Sequence, residues 1–63
     1  MKFFIEIDLG NAAFDDLPEY EIERILKETA RKVRFEGLGE SKDLYDYNGN
    51  ACGRYGLKGK GAE

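Results

Sequence analysis

The residues that could carry out covalent or acid–base chemistry are few and scattered. Cys52 is the single cysteine, Ser41 stands in a loop, and the chain has no histidine to act as a base near neutral pH. Arg54 could lower the pKa of the Cys52 thiol, but a lone cysteine on a strand is typical of a small buried side chain. Paired acids such as Asp15 and Asp16 have no cleft to work in at a length of 63 residues. We therefore predict no catalytic residues, no enzyme activity and no small-molecule substrate.

The segment that begins at Asp46 resembles the opening of a calcium-binding loop. Asp46, Asn48 and Asn50 have the spacing of its first three ligands, but such a loop also needs glycine at its sixth position and glutamate at its twelfth. Ala51 and Leu57 occupy those positions. Asp, Asn and Gly are ordinary turn residues, and one thiol without histidine does not make a zinc site. The sequence predicts no metal and no cofactor.

Acidic residues are concentrated in the first third of the chain. Residues 1–23 hold one base and seven acids, a formal charge of −6, whereas the remainder holds nine bases and six acids, a formal charge of +3. The net charge of −3 is unlike the basic footprint of a nucleic-acid-binding domain. Glu19, Glu21 and Glu23 could steer a basic protein partner, although acids at a helix start are commonly solvated. We take Glu19 and Glu23 as candidate contact residues.

Two periodic segments predict a strand and then a helix. Residues 2–9 alternate, with Phe4 on the opposite side from the other apolar residues, which indicates a strand with one buried face. Residues 17–35 place apolar side chains at helical spacing, and Gly37 is a natural stop. The expected core contribution of these two segments is Phe3, Ile5, Ile7, Ile22, Ile25, Leu26 and Val33.

The dipeptide Asn48-Gly49 predicts a β-hairpin between strands over residues 42–47 and 50–57, since this pair favours the backbone of a tight hairpin turn. The register is open between two alternatives. A two-residue turn pairs Tyr45 with Cys52.

The second register has a three-residue loop with a bulge at Gly49, and it pairs Leu44 with Cys52. We favour it slightly because it brings these two apolar side chains to one face. A shift of one residue reverses every side chain, so the faces of the hairpin tyrosines are not determined.

These elements predict an α+β fold, β-α-β-β, with a single domain over residues 1–57 and a flexible tail over residues 58–63. If the helix returns the chain over the sheet, placing the third strand in the middle makes every neighbour antiparallel. The expected architecture is a three-stranded antiparallel sheet of order 2-3-1 with one helix packed on one face. The orders 3-2-1 and 1-2-3 are less favoured.

The sheet face turned away from the helix is the expected contact surface. Phe4 points to this face, and some of Tyr45, Tyr47 and Tyr55 are expected beside it as an aromatic patch of the kind found in interface cores. A chain of this length buries only ~60% of its unfolded surface and has no disulfide. A homodimer that covers this face is therefore the simplest expectation.

Several stretches resemble small hypothetical proteins encoded by bacteriophages and prophages: residues 3–8, 11–14, 23–26 and 44–53. The likeness covers most of residues 1–57. No activity is established for that group, so the resemblance implies no functional residues. It implies a phage accessory protein in a bacterial cytoplasm. By analogy, small phage proteins without active sites act as stoichiometric inhibitors of host or defence machinery, anti-CRISPR proteins included.

The apolar run near the start of the chain is interrupted by Glu6 and Asp8. It is therefore too short and too charged for a signal peptide or a membrane span. We therefore expect a cytoplasmic protein without a membrane partner, and the resemblance to phage-encoded proteins implies a bacterial host. The leading hypothesis is a non-enzymatic protein that binds a host or defence protein complex. A nucleic-acid-binding accessory domain that uses stacked tyrosines is the alternative, and a structural, self-assembling module is a third possibility.

Overall fold

The computed structural model describes residues 1–58, and these form a small α+β domain. The elements in chain order are β1 (Lys2–Ile7), a 3-10 helix (Ala12–Phe14), α1 (Pro18–Glu36), β2 (Lys42–Tyr45) and β3 (Ala51–Lys58). The predicted order β-α-β-β is confirmed. Lys58, which we placed in the tail, is the last residue of β3, and residues 59–63 of that predicted tail lie outside the described residues. Within residues 1–58, no helix has the length and apolar composition needed to cross a bilayer.

β3 lies between β1 and β2 and is antiparallel to both, as the order 2-3-1 predicts. The β1–β3 ladder runs from Lys2 opposite Lys58 to Ile7 opposite Gly53. β1 and β2 are the two edges of this sheet. Among the described residues, β1 therefore has a strand partner on one side alone.

The hairpin tip has the three-residue loop that we favoured. The Asp46 N–H donates to the Asn50 carbonyl oxygen at 2.9 Å, and the Gly49 N–H donates to the Asp46 carbonyl oxygen at 2.9 Å. Gly49 has a φ of +84°, a conformation that glycine adopts without steric cost.

Beyond the tip, a bulge shifts the register from the one we expected. Tyr45 pairs with Ala51, but Leu44 pairs with Gly53, so Cys52 is the extra residue on β3. The predicted direct pairing of Leu44 with Cys52 is therefore wrong, although both side chains are buried in the core. At Gly53 the backbones of β3 and β1 approach so closely that a Cβ would overlap the Glu6 carbonyl oxygen.

The hydrophobic core is built from side chains of α1, the sheet and the 3-10 helix. Asn11 starts the 3-10 helix, because its Oδ1 accepts a hydrogen bond from the Ala13 N–H at 3.0 Å. This turn carries two residues into the core that we did not predict to lie there, Ala13 and Phe14. The buried cluster consists of Ala13, Phe14, Ile25, Leu44, Cys52 and Tyr55, with Ile5, Ile7, Ile22 and Val33 packed against it.

Two residues of the expected core lie at its rim instead. Phe3 is 48% exposed and Leu26 is 44% exposed. The buried residues of α1 are Glu21, Ile25 and Thr29, which follow one another at a spacing of four and form a single line along the helix. Leu26 is adjacent to this line and falls on the flank of the helix. The prediction that Phe3 and Leu26 are core residues is therefore wrong.

A matched pair of substitutions tests this orientation of the helix. Ile25 is 2% exposed, so Ile25→Ala is expected to lower the free energy of unfolding by about 2–5 kcal/mol through lost burial and the cavity left behind. Leu26→Ala removes a half-exposed side chain and is expected to cost roughly 1 kcal/mol. Urea unfolding of both variants measures the difference. Equal losses would contradict the orientation described above.

Candidate functional site

On the sheet face turned away from α1, the side chains around Phe4 are charged rather than aromatic. Lys2, Phe4 and Glu6 of β1 lie on this face, and Lys58 and Arg54 lie opposite the two charged residues on β3. The Lys58 Nζ is 5.1 Å from the centre of the Phe4 ring, a cation–π contact that partly covers the ring. Phe4 is the aromatic residue that β1 contributes to this face, and the side chains next to it are charged.

The tyrosines that we expected near Phe4 are elsewhere. Tyr55 is only 5% exposed, because it pairs with Ile5 and shares the face under α1. Tyr45 and Tyr47 are exposed, but Tyr45 pairs with Ala51 whereas Phe4 pairs with Gly56, five residues further along β3. The prediction of an aromatic patch around Phe4 is therefore wrong. Tyr45 and Tyr47 belong to the hairpin end of the molecule.

The candidate acidic ridge is not continuous. Glu19 and Glu23 are exposed on α1, and the Glu23 carboxylate is 3.2 Å from the Lys27 Nζ. An exposed ion pair of this kind contributes little to stability. Glu21, which lies between the two in sequence, is buried. Glu19 and Glu23 stay candidate contact residues, each as a single exposed carboxylate.

Glu21 connects α1 to the hairpin. Its two carboxylate oxygens accept hydrogen bonds from the Arg24 Nε and Nη2 at 2.9 and 2.7 Å, and one of them also accepts from the Tyr47 N–H at 2.9 Å. Arg24 in turn donates to the Tyr45 carbonyl oxygen at 3.2 Å. The Arg24 guanidinium lowers the pKa of Glu21 through these hydrogen bonds, while burial opposes the shift. We refer to Glu21, Arg24 and the Tyr47 N–H as the hairpin latch.

Asp46 organises the hairpin turn. Its Oδ1 accepts hydrogen bonds from the Asn48 and Asn50 N–H groups at 2.8 and 3.0 Å. Its Oδ2 is buried and has no hydrogen-bond partner among the described residues. No group of three or more His, Cys, Asp or Glu residues within 1–58 is arranged to hold a metal ion. The Asp/Asn spacing noted in the sequence therefore serves the geometry of the turn.

The Cys52 thiol is unsuited to nucleophilic chemistry. Burial raises its pKa, and the nearby Asp46 carboxylate raises it further. Arg54, which we considered as an activating neighbour, lies opposite Glu6 on the other face of the sheet. Cys52 is therefore a core residue that stays protonated near neutral pH.

An apolar groove lies between α1 and β1. We call it the edge groove, and it has a volume of about 420 Å³. Phe3 and Leu38 are about half exposed within it. Leu38 was missed in the sequence, although an apolar residue just after a helix-ending glycine commonly packs back on the helix. The groove is lined by Phe3, Ile5, Leu26, Thr29, Ala30, Val33 and Leu38.

The backbone of β1 extends the edge groove. The Asp8 N–H donates to the Cys52 carbonyl oxygen at 2.6 Å. Hydrogen-bonded pairs alternate along an antiparallel ladder, so the even-numbered residues of β1 bond to β3. Phe3, Ile5 and Ile7 consequently direct their N–H and C=O groups away from the sheet. In the part of the chain that the structure describes, no strand pairs with this outer edge.

Comparisons with known protein families, with curated proteins and with solved structures find no match to this chain. The resemblance to phage-encoded proteins therefore stays a prediction from the residues. What the fold and the surfaces define is a small α+β domain with an apolar groove beside an edge strand.

The hairpin latch makes the stability of the fold depend on pH. Because the pKa of Glu21 is lower in the folded chain, its carboxylate stabilises the fold fully above its ordinary pKa of 4.5, and this contribution is lost as the pH falls below that value. Glu21→Gln is expected to lower the free energy of unfolding by about 1–3 kcal/mol at pH 7, since hydrogen bonds to a buried charge are lost. The difference from wild type should shrink steadily below pH 4.5.

Glu19→Gln is the control, because it removes the same charge from an exposed position on the same helix. Urea unfolding at a series of pH values measures all three proteins. If Glu19→Gln and Glu21→Gln behave alike, the latch does not hold the hairpin.

Proposed function

We propose that this protein is a non-enzymatic binding protein that takes up an extended segment of a partner protein along β1. The observation that carries the proposal is the continuity of the edge groove with the outer edge of β1. Phe3 and Ile5 contribute apolar side chains to the groove and outward N–H and C=O groups to the edge. Strand addition uses both features, because main-chain hydrogen bonds give affinity and side-chain pockets give specificity.

The partner segment that fits has an apolar side chain at every second position. A strand added to β1 directs alternate side chains to the face under α1, where Leu26, Ala30 and Val33 form an apolar wall. The remaining side chains of the segment face the charged surface that Lys2 and Glu6 share. Polar residues at those positions complete the pattern that we expect.

The proposed target is a host or defence protein complex in a bacterial cytoplasm, and the proposed action is stoichiometric inhibition. This target rests on the resemblance to small phage-encoded proteins. A protein that covers a strand-binding site acts by occupancy and needs no catalytic group. The buried Cys52 thiol, with its raised pKa, is consistent with that mode of action.

Nucleic-acid binding has less support than protein binding. A stacking platform needs several accessible aromatic rings beside basic groups. Tyr55 is buried, and Tyr45 and Tyr47 are at the end of the sheet near the buried Glu21 carboxylate rather than on a basic face. The charged face around Phe4 has acids as well as bases.

Capture of a partner from a bacterial lysate tests the proposal when it is compared across variants. Ala30→Glu places a carboxylate in the edge groove, where an apolar side chain of the partner would desolvate it. We expect Ala30→Glu to retain at least about tenfold less of the partner than wild type, which corresponds to 1.4 kcal/mol or more. Lys27→Glu is the control, since it adds negative charge on an exposed part of the same helix.

Amide hydrogen exchange on the purified complex gives an independent measurement. The N–H groups of Phe3, Ile5 and Ile7 should exchange more slowly in the complex, because they become donors to the added strand. A partner held by contacts that do not involve Ala30 would be captured equally by wild type and Ala30→Glu. That outcome, or unchanged exchange along β1, would remove the edge groove as the binding site.

A further inference from the structure

We infer that β1 of a second copy of this chain binds along the outer edge of β1, so that the protein forms a two-fold symmetric dimer through a continuous six-stranded sheet. The inference goes beyond the proposed function, since it names a second copy of the chain as another occupant of the same groove and strand edge. It places the two-fold axis at Phe4 and pairs the two β1 strands antiparallel. The order of charged and apolar residues in β1 supports this register.

The charges of β1 are self-complementary about Phe4. In an antiparallel pair centred on Phe4, Lys2 of each copy lies opposite Glu6 of the other copy, and the two Phe4 rings lie opposite each other. Opposite charges and aromatic pairs at directly facing positions stabilise a sheet. Within residues 1–58, neither Lys2 nor Glu6 has an ion pair. Lys2 instead faces another cation, Lys58, on β3.

The backbone groups also match this register. Phe3 of one copy lies opposite Ile5 of the other, and both residues direct N–H and C=O groups outward, as the alternation along β1 requires. Each Phe3–Ile5 pair can therefore exchange two hydrogen bonds. Phe4 then forms a non-hydrogen-bonded pair, in which facing side chains are closest.

Other registers place Phe4 against a charge. A displacement of the second strand by two residues sets Phe4 opposite Lys2 in one direction and opposite Glu6 in the other. A displacement by one residue would bring the apolar face of one strand to the charged face of the other. In the register centred on Phe4, by contrast, opposite charges face each other and apolar side chains face apolar side chains.

The same arrangement covers the edge groove. A two-fold axis perpendicular to the sheet keeps both copies of α1 on one face, so the two grooves adjoin across the axis. Phe3 and Leu26, which are about half exposed in the single chain, then lie at the junction of the two copies. Isologous contacts of this kind are the commonest in homo-oligomers.

Charge reversal at the two ends of the register tests the inference. Sedimentation equilibrium of the full chain gives the dimer dissociation constant for wild type, Lys2→Glu, Glu6→Lys and the double variant. Each single variant sets two like-charged pairs across the interface and is expected to raise the dissociation constant by about tenfold or more. The double variant restores both opposite-charge pairs and should return to within about threefold of wild type.

Lys27→Glu is the control for a change of net charge, and circular dichroism checks that every variant folds. A wild-type chain that is monomeric at millimolar concentration would overturn the inference. A wild-type dimer that the single variants do not weaken, or that the double variant does not restore, would overturn the Phe4-centred register.

The two proposals fail separately. A monomeric wild type whose captured partner is lost on Ala30→Glu would overturn the dimer and leave the proposed function standing. A dimer that follows the charge-reversal pattern, with lysate capture unaffected by Ala30→Glu, would support the dimer and overturn the uptake of a partner segment at this edge.

Discussion

The Glu21 carboxylate accepts hydrogen bonds from Arg24 on its own helix and from the Tyr47 N–H, 26 positions further along the chain. A buried carboxylate is stable only where such donors surround it. Its position sets the face that α1 turns to the sheet: Ile25 and Thr29 follow Glu21 inward, and Leu26 and Ala30 remain on the flank toward β1. The edge groove is therefore linked to a polar interaction at the other end of the molecule.

Much of the fold was predictable because it depends on local patterns. Alternation gave β1, helical spacing gave α1 to within one residue at each end, and Asn48-Gly49 gave the hairpin tip. The strand order followed from the need for antiparallel neighbours. The bulge at Cys52 was not predictable in this way, since it is an interruption of the regular β2–β3 pairing that no local sequence pattern marks.

The candidate site was harder to predict, since it depends on the rotation of α1 about its axis. Hydropathy favours an apolar stripe centred between Ile25 and Leu26. A hydropathy pattern does not predict that a glutamate, Glu21, belongs to the buried line of the helix. Glu21 was interpreted as one of three solvated acids at a helix start. The wrong placement of Tyr55 has a related cause, because its face depends on pairing with β1 rather than on the hairpin alone.

The central position of β3 has a consequence for the time course of folding. Lys2 and Lys58 face each other across 56 positions of sequence, and β2 also pairs only with β3 in the described chain. Neither edge strand has a partner until residues 51–58 have been synthesised. Such long-range pairing is slow compared with helix formation. On the ribosome, α1 can therefore form early, with its apolar side uncovered, while the whole sheet must wait for the last strand and then assemble around it.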